Sequence, residues 1–273
     1  MKMVRGVLIV IFLLSLFQGG AMAVDTAILT FIHDVPREKW TTLSDKKIYF
    51  GHQSVGFNII DGMKDLMHKY PYLKLEIIES DNDFRLSSPG FYHSRIGSNV
   101  NPISKIDDFA DKMAAGVGAT ADIAFFKFCF VDIGSDTDIQ KVFDHYVKVM
   151  TVLKERYPRV KIVHFTVPLG TTLTNWKTSI KTLLGKKDIW EYDANVRKNE
   201  FNDLLRNHYA GKEPVFDIAG FESTLTDGKR STFTKGGKSY FDLAPEYTYD
   251  DGHLNEKGRQ WVAGHLLIFL AQL

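Results

Sequence analysis

Two stretches far apart in the chain carry residue types that together can do acyl chemistry. The first is Lys47-Ile48-Tyr49-Phe50-Gly51-His52-Gln53-Ser54-Val55-Gly56, where an apolar run ends in glycine and small polar residues and a helical pattern follows from Asn58. A buried strand feeds a tight turn and then a helix in this way. In an open α/β sheet such a turn lies at the carboxyl edge of the strands, where ligands bind. Ser54 would be lifted to that edge, with N–H groups of the helix start facing whatever its hydroxyl attacks. The same position also suits a serine that only caps the helix.

The second stretch is Tyr249-Asp250-Asp251-Gly252-His253-Leu254-Asn255, directly before the last helical pattern. Asp250 and His253 are three apart in a turn, so the carboxylate can reach Nδ1–H of the imidazole. It would then fix the tautomer and stabilise the imidazolium formed when histidine takes a proton from serine. Another Asp-x-x-His, Asp65-Leu66-Met67-His68, falls inside a helical pattern and reads as a solvated turn. Only the pair Asp250 and His253 sits in a strand-to-helix loop, at the edge expected for Ser54.

The elements that must position these groups follow from apolar period. Lys47–Phe50 reads as the first strand, and Ile59–Lys69 as a helix with Ile59, Ile60, Met63, Leu66 and Met67 on one face. Leu73–Ile78 alternates as a second strand, and Asp81–Asn101, rich in Gly, Ser, Pro and Asn, reads as a long functional loop. Ile103–Ala115 is a helix, and Asp122–Asp132 a strand without alternation, as a parallel sheet requires. The pattern then gives a helix over Asp138–Tyr157, a strand over Lys161–Val167, a helix over Asn195–Tyr209, a short strand at Val215–Ile218 and a closing helix over Asn255–Gln272. This alternation predicts a three-layer α/β/α sandwich around a central, mostly parallel five-stranded sheet. Two inserts break the rhythm. Thr171–Asp193 carries Trp176 and Trp190 among lysines, and Phe221–Tyr249 carries turns at Asp227-Gly228 and Gly236-Gly237. Tryptophan beside polar residues can stack on a sugar ring, which makes Trp176 a candidate substrate contact; equally, it can staple its loop to the core.

Composition narrows the classes. Met1–Arg5 is short and basic, Gly6–Phe17 is almost wholly apolar, and Ala21-Met22-Ala23 is a small-residue cleavage signal. Residues 1–23 therefore read as a signal peptide and residues 24–273 as one exported domain, secreted or periplasmic, with no stable membrane insertion after cleavage. The apolar core is shorter than the roughly 20 residues of a span. Lys and Arg number 34 against 33 Asp and Glu, a balance that gives no support for a nucleic-acid partner. Cys129, the one cysteine, lies in the apolar run Ile123–Val131 and reads as a core residue. No pair among the nine histidines has zinc-enzyme spacing, so no metal or other cofactor is expected.

An early Gly-x-x-Ser turn after the first strand, with Asp-x-x-His just before a C-terminal helix, resembles the SGNH (GDSL-like) hydrolase superfamily over essentially the whole chain after residue 23. The resemblance implies that superfamily's flavodoxin-like fold and a triad acting on esters, with Ser54 as nucleophile, His253 as base and Asp250 as acid. It also implies an oxyanion hole built from the Ser54 N–H, a glycine N–H after the second strand, best matched by Gly97, and an asparagine side chain. The family's Gly-x-Asn-Asp block matches Cys129-Phe130-Val131-Asp132, where Val131 stands in the asparagine position and can donate nothing. Either another group supplies the donor, Asn99, Asn101, Gln53 or Lys127, or the activity is reduced or different. Asn99 is taken for the oxyanion hole, and Gln53, Asn101 and Trp176 for substrate contacts. The expected substrate is a small acyl ester or an acylated carbohydrate. An O-acyltransferase would use the same triad, and a non-catalytic glycan-binding protein is the alternative from another class.

Overall fold

The structure, a computed structural model, describes residues 31–80, 84–172 and 190–273. The expected signal segment and Trp176 lie outside the described residues, as does the side chain of Trp190.

Helix α1 (Arg37–Ser44) leads into β1 (Lys47–His52), which turns through Ser54 into α2 (Val55–Lys69). Then come β2 (Ile77–Glu79), β3 (Gly90–Arg95), α3 (Pro102–Lys112), β4 (Ile123–Phe126), α4 (Ile139–Arg156) and β5 (Lys161–Phe165). The chain closes with α5 (Trp190–Tyr209), β6 (Val215–Phe216), α6 (Ile218–Glu222), the hairpin β7 (Thr232–Lys235) and β8 (Lys238–Phe241), and α7 (Glu256–Gln272). Strands β2-β3-β1-β4-β5-β6 form one sheet in that order, every pair parallel. The expected three-layer parallel architecture is therefore present, with six strands instead of five.

The additional strand is β3, inside the stretch expected to be loop. Its apolar signal is diluted because His93 and Ser94 are buried polar residues with partners in the next strand. Ser94 Oγ lies 2.7 Å from Tyr49 Oη, and His93 Nδ1 lies 3.1 Å from His52 Nε2. Elsewhere the apolar runs overstate the strands. The second strand shrinks to Ile77–Glu79, and the strand expected through Asp132 ends at Phe126. Lys127–Asp132 becomes a loop at the carboxyl edge.

Period 2 along β1 splits the core. Ile48 and Phe50 join Ile59, Met63 and Leu66 of α2 with Trp261 and Leu266 of α7 on one face. Tyr49 joins Phe109 of α3, Tyr146 of α4 and Leu205 of α5 on the other. Burial on both faces is what the non-alternating β1 and β4 sequences require. No helix among the described residues is long and apolar enough to cross a membrane.

Helices α2 and α7 pack against each other at a very short approach. A Cβ on Gly62 would lie 2.3 Å from the Arg259 carbonyl oxygen and 2.9 Å from the Ala263 Cβ. One turn further along, Arg259 Nε donates to the Asp65 carboxylate at 2.8 Å. That ion pair takes up the acid of the second Asp-x-x-His and leaves His68 exposed in the last turn of α2. Near the other end, Leu254 N–H donates to Asn58 Oδ1 at 3.2 Å. Gly62→Ala is expected to push the helices apart and destabilise the fold by about 1–3 kcal/mol, the usual range for overpacking. A melting curve reads this directly; an unchanged melting temperature would show that the contact is easily relieved.

Candidate active site

Chain geometry at the end of β1 sets Ser54 apart. Its backbone takes φ 42°, ψ −105°, a conformation that residues other than glycine seldom hold. The side chain makes no capping bond to α2, so helix capping does not account for this serine. Instead, Ser54 Oγ is hydrogen-bonded to His253 Nε2. The other ring nitrogen, Nδ1, lies 2.7 Å from Asp250 Oδ2, while Asp250 Oδ1 accepts the His253 backbone N–H at 2.7 Å and the Gly252 N–H at 3.3 Å. Burial tends to raise the Asp250 pKa, but these bonds from His253 and Gly252 outweigh it and hold the carboxyl below its ordinary value. The acid therefore stays ionised and fixes the tautomer with Nδ1 protonated and Nε2 turned to serine.

A serine after the first strand and an Asp-x-x-His before the last helix thus meet at the carboxyl edge of a parallel sheet. The fold is a three-layer α/β/α sandwich on a parallel sheet. No family model matches the chain, and no curated protein matches it. Among solved structures it is similar to a protein described as lipolytic and of the G-D-S-L family from Desulfitobacterium hafniense DCB-2, at 8% identity and a TM-score of 0.45, over 82% of this chain and 99% of that one. It is similar also to the periplasmic domain of a lipopolysaccharide acetyltransferase from Salmonella ser. Paratyphi A, at 11% identity and a TM-score of 0.45, over 90% and 94%. A carbohydrate esterase family 3 protein from Talaromyces cellulolyticus is similar at 14% identity and a TM-score of 0.39, over 80% and 92%.

Around this relay, the expected auxiliary residues separate. Gly97, expected to offer its N–H to an oxyanion, donates it to the Asp108 carboxylate at 2.7 Å. That glycine is required for another reason: its φ is +46°, and a Cβ there would lie 2.7 Å from Lys105 N. Asn101, expected to touch substrate, is the N-cap of α3 and accepts from the Ser104 N–H at 3.1 Å. Gln53 also has its amide taken up, with Nε2 donating to the carbonyls of Ile96 and Gly97 at 3.0 Å each. Its role is to tie the β3–α3 loop beside Ser54. Asn99 differs from these three. Its Oδ1 accepts from Lys105 Nζ at 2.9 Å, which turns the NH₂ group the other way.

Several buried residues support this edge, of which the sequence singled out only Lys127, and that as a donor to an oxyanion. Lys105 and Asp132 form a fully buried ion pair at 2.6 Å, and Asp132 also accepts the N–H groups of Cys129 at 2.6 Å and Val100 at 2.9 Å. Asp132 was visible as the last residue of the block holding Val131; Lys105 carried no signal, because a lysine in an amphipathic helix reads as solvated. Lys127 is wholly buried under the serine turn, and its Nζ donates to the Gln53 carbonyl at 3.3 Å and the Phe128 carbonyl at 3.2 Å. Burial holds its ammonium below the ordinary lysine range. Phe130 meets the His253 ring edge-on at 5.4 Å.

Glu222 is fully buried and accepts the Leu169 N–H at 3.0 Å. Burial pushes its carboxyl up to about 8, against the opposing pull of that N–H and of Lys127 and Lys198. Between its ordinary 4.5 and about 8 the folded state holds a proton that the unfolded chain has lost. Stability therefore declines as pH rises through that window, because the folded state binds the extra proton. Glu222→Gln keeps the shape and removes the titration, so melting temperature plotted against pH is expected to flatten there. A slope identical to that of the unsubstituted protein would assign the decline to other groups.

Proposed function

We propose that this chain is an exported serine esterase that hydrolyses a short acyl ester through Ser54, His253 and Asp250. The observation that carries the reading is the relay from Ser54 Oγ to His253 Nε2 and from His253 Nδ1 to Asp250 Oδ2. In this mechanism His253 takes the Ser54 proton as Oγ attacks the acyl carbon. The tetrahedral oxyanion faces the Ser54 N–H at the start of α2 and the Asn99 amide, and Asn99 replaces the donor that Val131 lacks. His253 then gives its proton to the departing alcohol, leaving an acyl-serine that water cleaves by the same steps. Export rests on the basic and apolar pattern of residues 1–23.

The alcohol half is proposed to be a carbohydrate. It must lie beside His253 to collect the proton, and Tyr249, 67% exposed, offers an aromatic ring there, 6.2 Å from the imidazole and nearly parallel to it. Such a face suits the apolar side of a sugar ring. A glycan-binding protein without catalysis would have no use for a serine held at φ 42° against an imidazole. Treating the purified protein with a fluorophosphonate, a probe that reacts with activated serines, separates the two: labelling of Ser54 supports the esterase, and its absence supports a binding protein. Ser54→Ala and His253→Ala should each lower turnover of p-nitrophenyl acetate by about 10⁴-fold or more, since such groups act as a unit. His68→Ala should leave it unchanged.

The two loop asparagines give a second test. Asn99→Ala is expected to lower kcat by about 100-fold with little change in KM, as for a lost oxyanion donor. Asn101→Ala removes a helix cap worth about 1 kcal/mol and should lower the melting temperature by about 2–4 °C without changing kcat. Equal kcat in both variants would remove Asn99 from the oxyanion hole.

A further inference from the structure

Among the described residues, three other than glycine hold a positive φ: Ser54 at 42°, Val100 at 65° and Asp251 at 74°. All three lie on loops at the carboxyl edge of the sheet. The relay accounts for two of them, since Ser54 is its first member and Asp251 shapes the turn between Asp250 and His253. Val100 has no part in it.

Val100 is also the residue type least suited to this backbone. The turn Ser98–Asn101 closes with the Asn101 N–H donating to the Ser98 carbonyl at 3.3 Å. Turns that need a positive φ at the third residue take glycine or asparagine there. Asparagine stands on both sides of Val100, yet the β-branched residue occupies the strained position. Its side chain is not drawn into the core as compensation, for Val100 is 74% exposed. Val100 and Tyr249 are the two most exposed large apolar residues among those described. The conformation is held from beneath, where the Val100 N–H donates to Asp132, the acid buried against Lys105.

We infer that Val100 is a specificity-determining contact for the acyl half of the ester, an inference that rests on the esterase reading above. The leaving oxygen must face His253 Nε2, so the alcohol lies on the His253 and Tyr249 side. The acyl chain then points away from His253. The sheet order puts β3 on the side of β1 away from β4, the strand whose following residue Phe130 meets His253, and the β3–α3 loop, tied beside Ser54 by Gln53, carries Val100. An exposed isopropyl group held in place by a buried ion pair gives the chain an apolar surface to cover.

The test uses ethyl methylphosphonofluoridate and ethyl butylphosphonofluoridate, whose alkyl groups on phosphorus stand for a short and a longer acyl chain. The readout is the ratio of their second-order labelling rates at Ser54, with melting temperature measured alongside. Val100→Gly and Val100→Asn both suit a positive φ, so melting temperature should hold or rise by about 2–4 °C. The butyl-to-methyl ratio should fall by about 5- to 10-fold in both variants, the loss of a partly covered isopropyl contact. A ratio that stays the same or rises overturns the inference while leaving the esterase reading intact, because Ser54 is still labelled. Failure of both probes to label the unsubstituted protein overturns both readings, and failure of the butyl probe alone overturns only the inference.

Discussion

Everything at the site depends on how closely α2 and α7 approach at Gly62. Side-chain packing alone would hold two helices 8–10 Å apart with some freedom to slide. Here the backbone of Arg259 rests where a Cβ would be, and the Arg259 to Asp65 ion pair fixes the register along the helices. With register fixed, the loops ahead of the two helices are fixed as well. One holds Ser54 and the other holds Asp250 and His253. The Leu254 N–H on Asn58 joins them again just past the histidine. A hydrogen bond between serine and imidazole tolerates errors of a few tenths of an ångström, and this rigid helix pair supplies that precision.

Strain and buried charge occur together on the neighbouring loops. A fully buried ion pair such as Lys105 with Asp132 is no assurance of stability, since desolvation can exceed the attraction. What it does here is organise backbone. Asp132 gathers two N–H groups from different loops, and Lys105 orients the Asn99 amide. Lys127 performs the same kind of service beneath the Gln53 carbonyl. Each cation binds the parts of the chain that lie next to the serine.

How much of this could be read from the sequence follows from the range of each signal. Ser54, Asp250 and His253 stood out because each lies at a local break in apolar period, and a break marks a sheet edge. The parallel architecture was legible for the same reason. Strand β3 was hidden, since His93 and Ser94 look solvated until their partners on β1 are known. Gly97 and Asn101 were placed in the site by resemblance, whereas their bonds to Asp108 and Ser104 follow from the local path of the loop. Lys105 was out of reach, because no spacing rule distinguishes a buried lysine from a solvated one, and Lys127 was considered only as an oxyanion donor, not as a buried tie beneath the serine turn. In each case the missing information was a contact between residues distant in sequence.

The bond between Ser54 and His253 joins residues 199 positions apart, and the histidine immediately precedes the last helix. Closing so long a loop is slow and comes late in folding. Until α7 docks, Ser54 has neither its proton acceptor nor the helix that fixes its turn. A chain still being synthesised therefore carries a serine without its imidazole partner, and the relay is assembled only when the helix after His253 docks. The order of residues along the chain works as a timer that keeps Ser54 and His253 apart until α7 is in place.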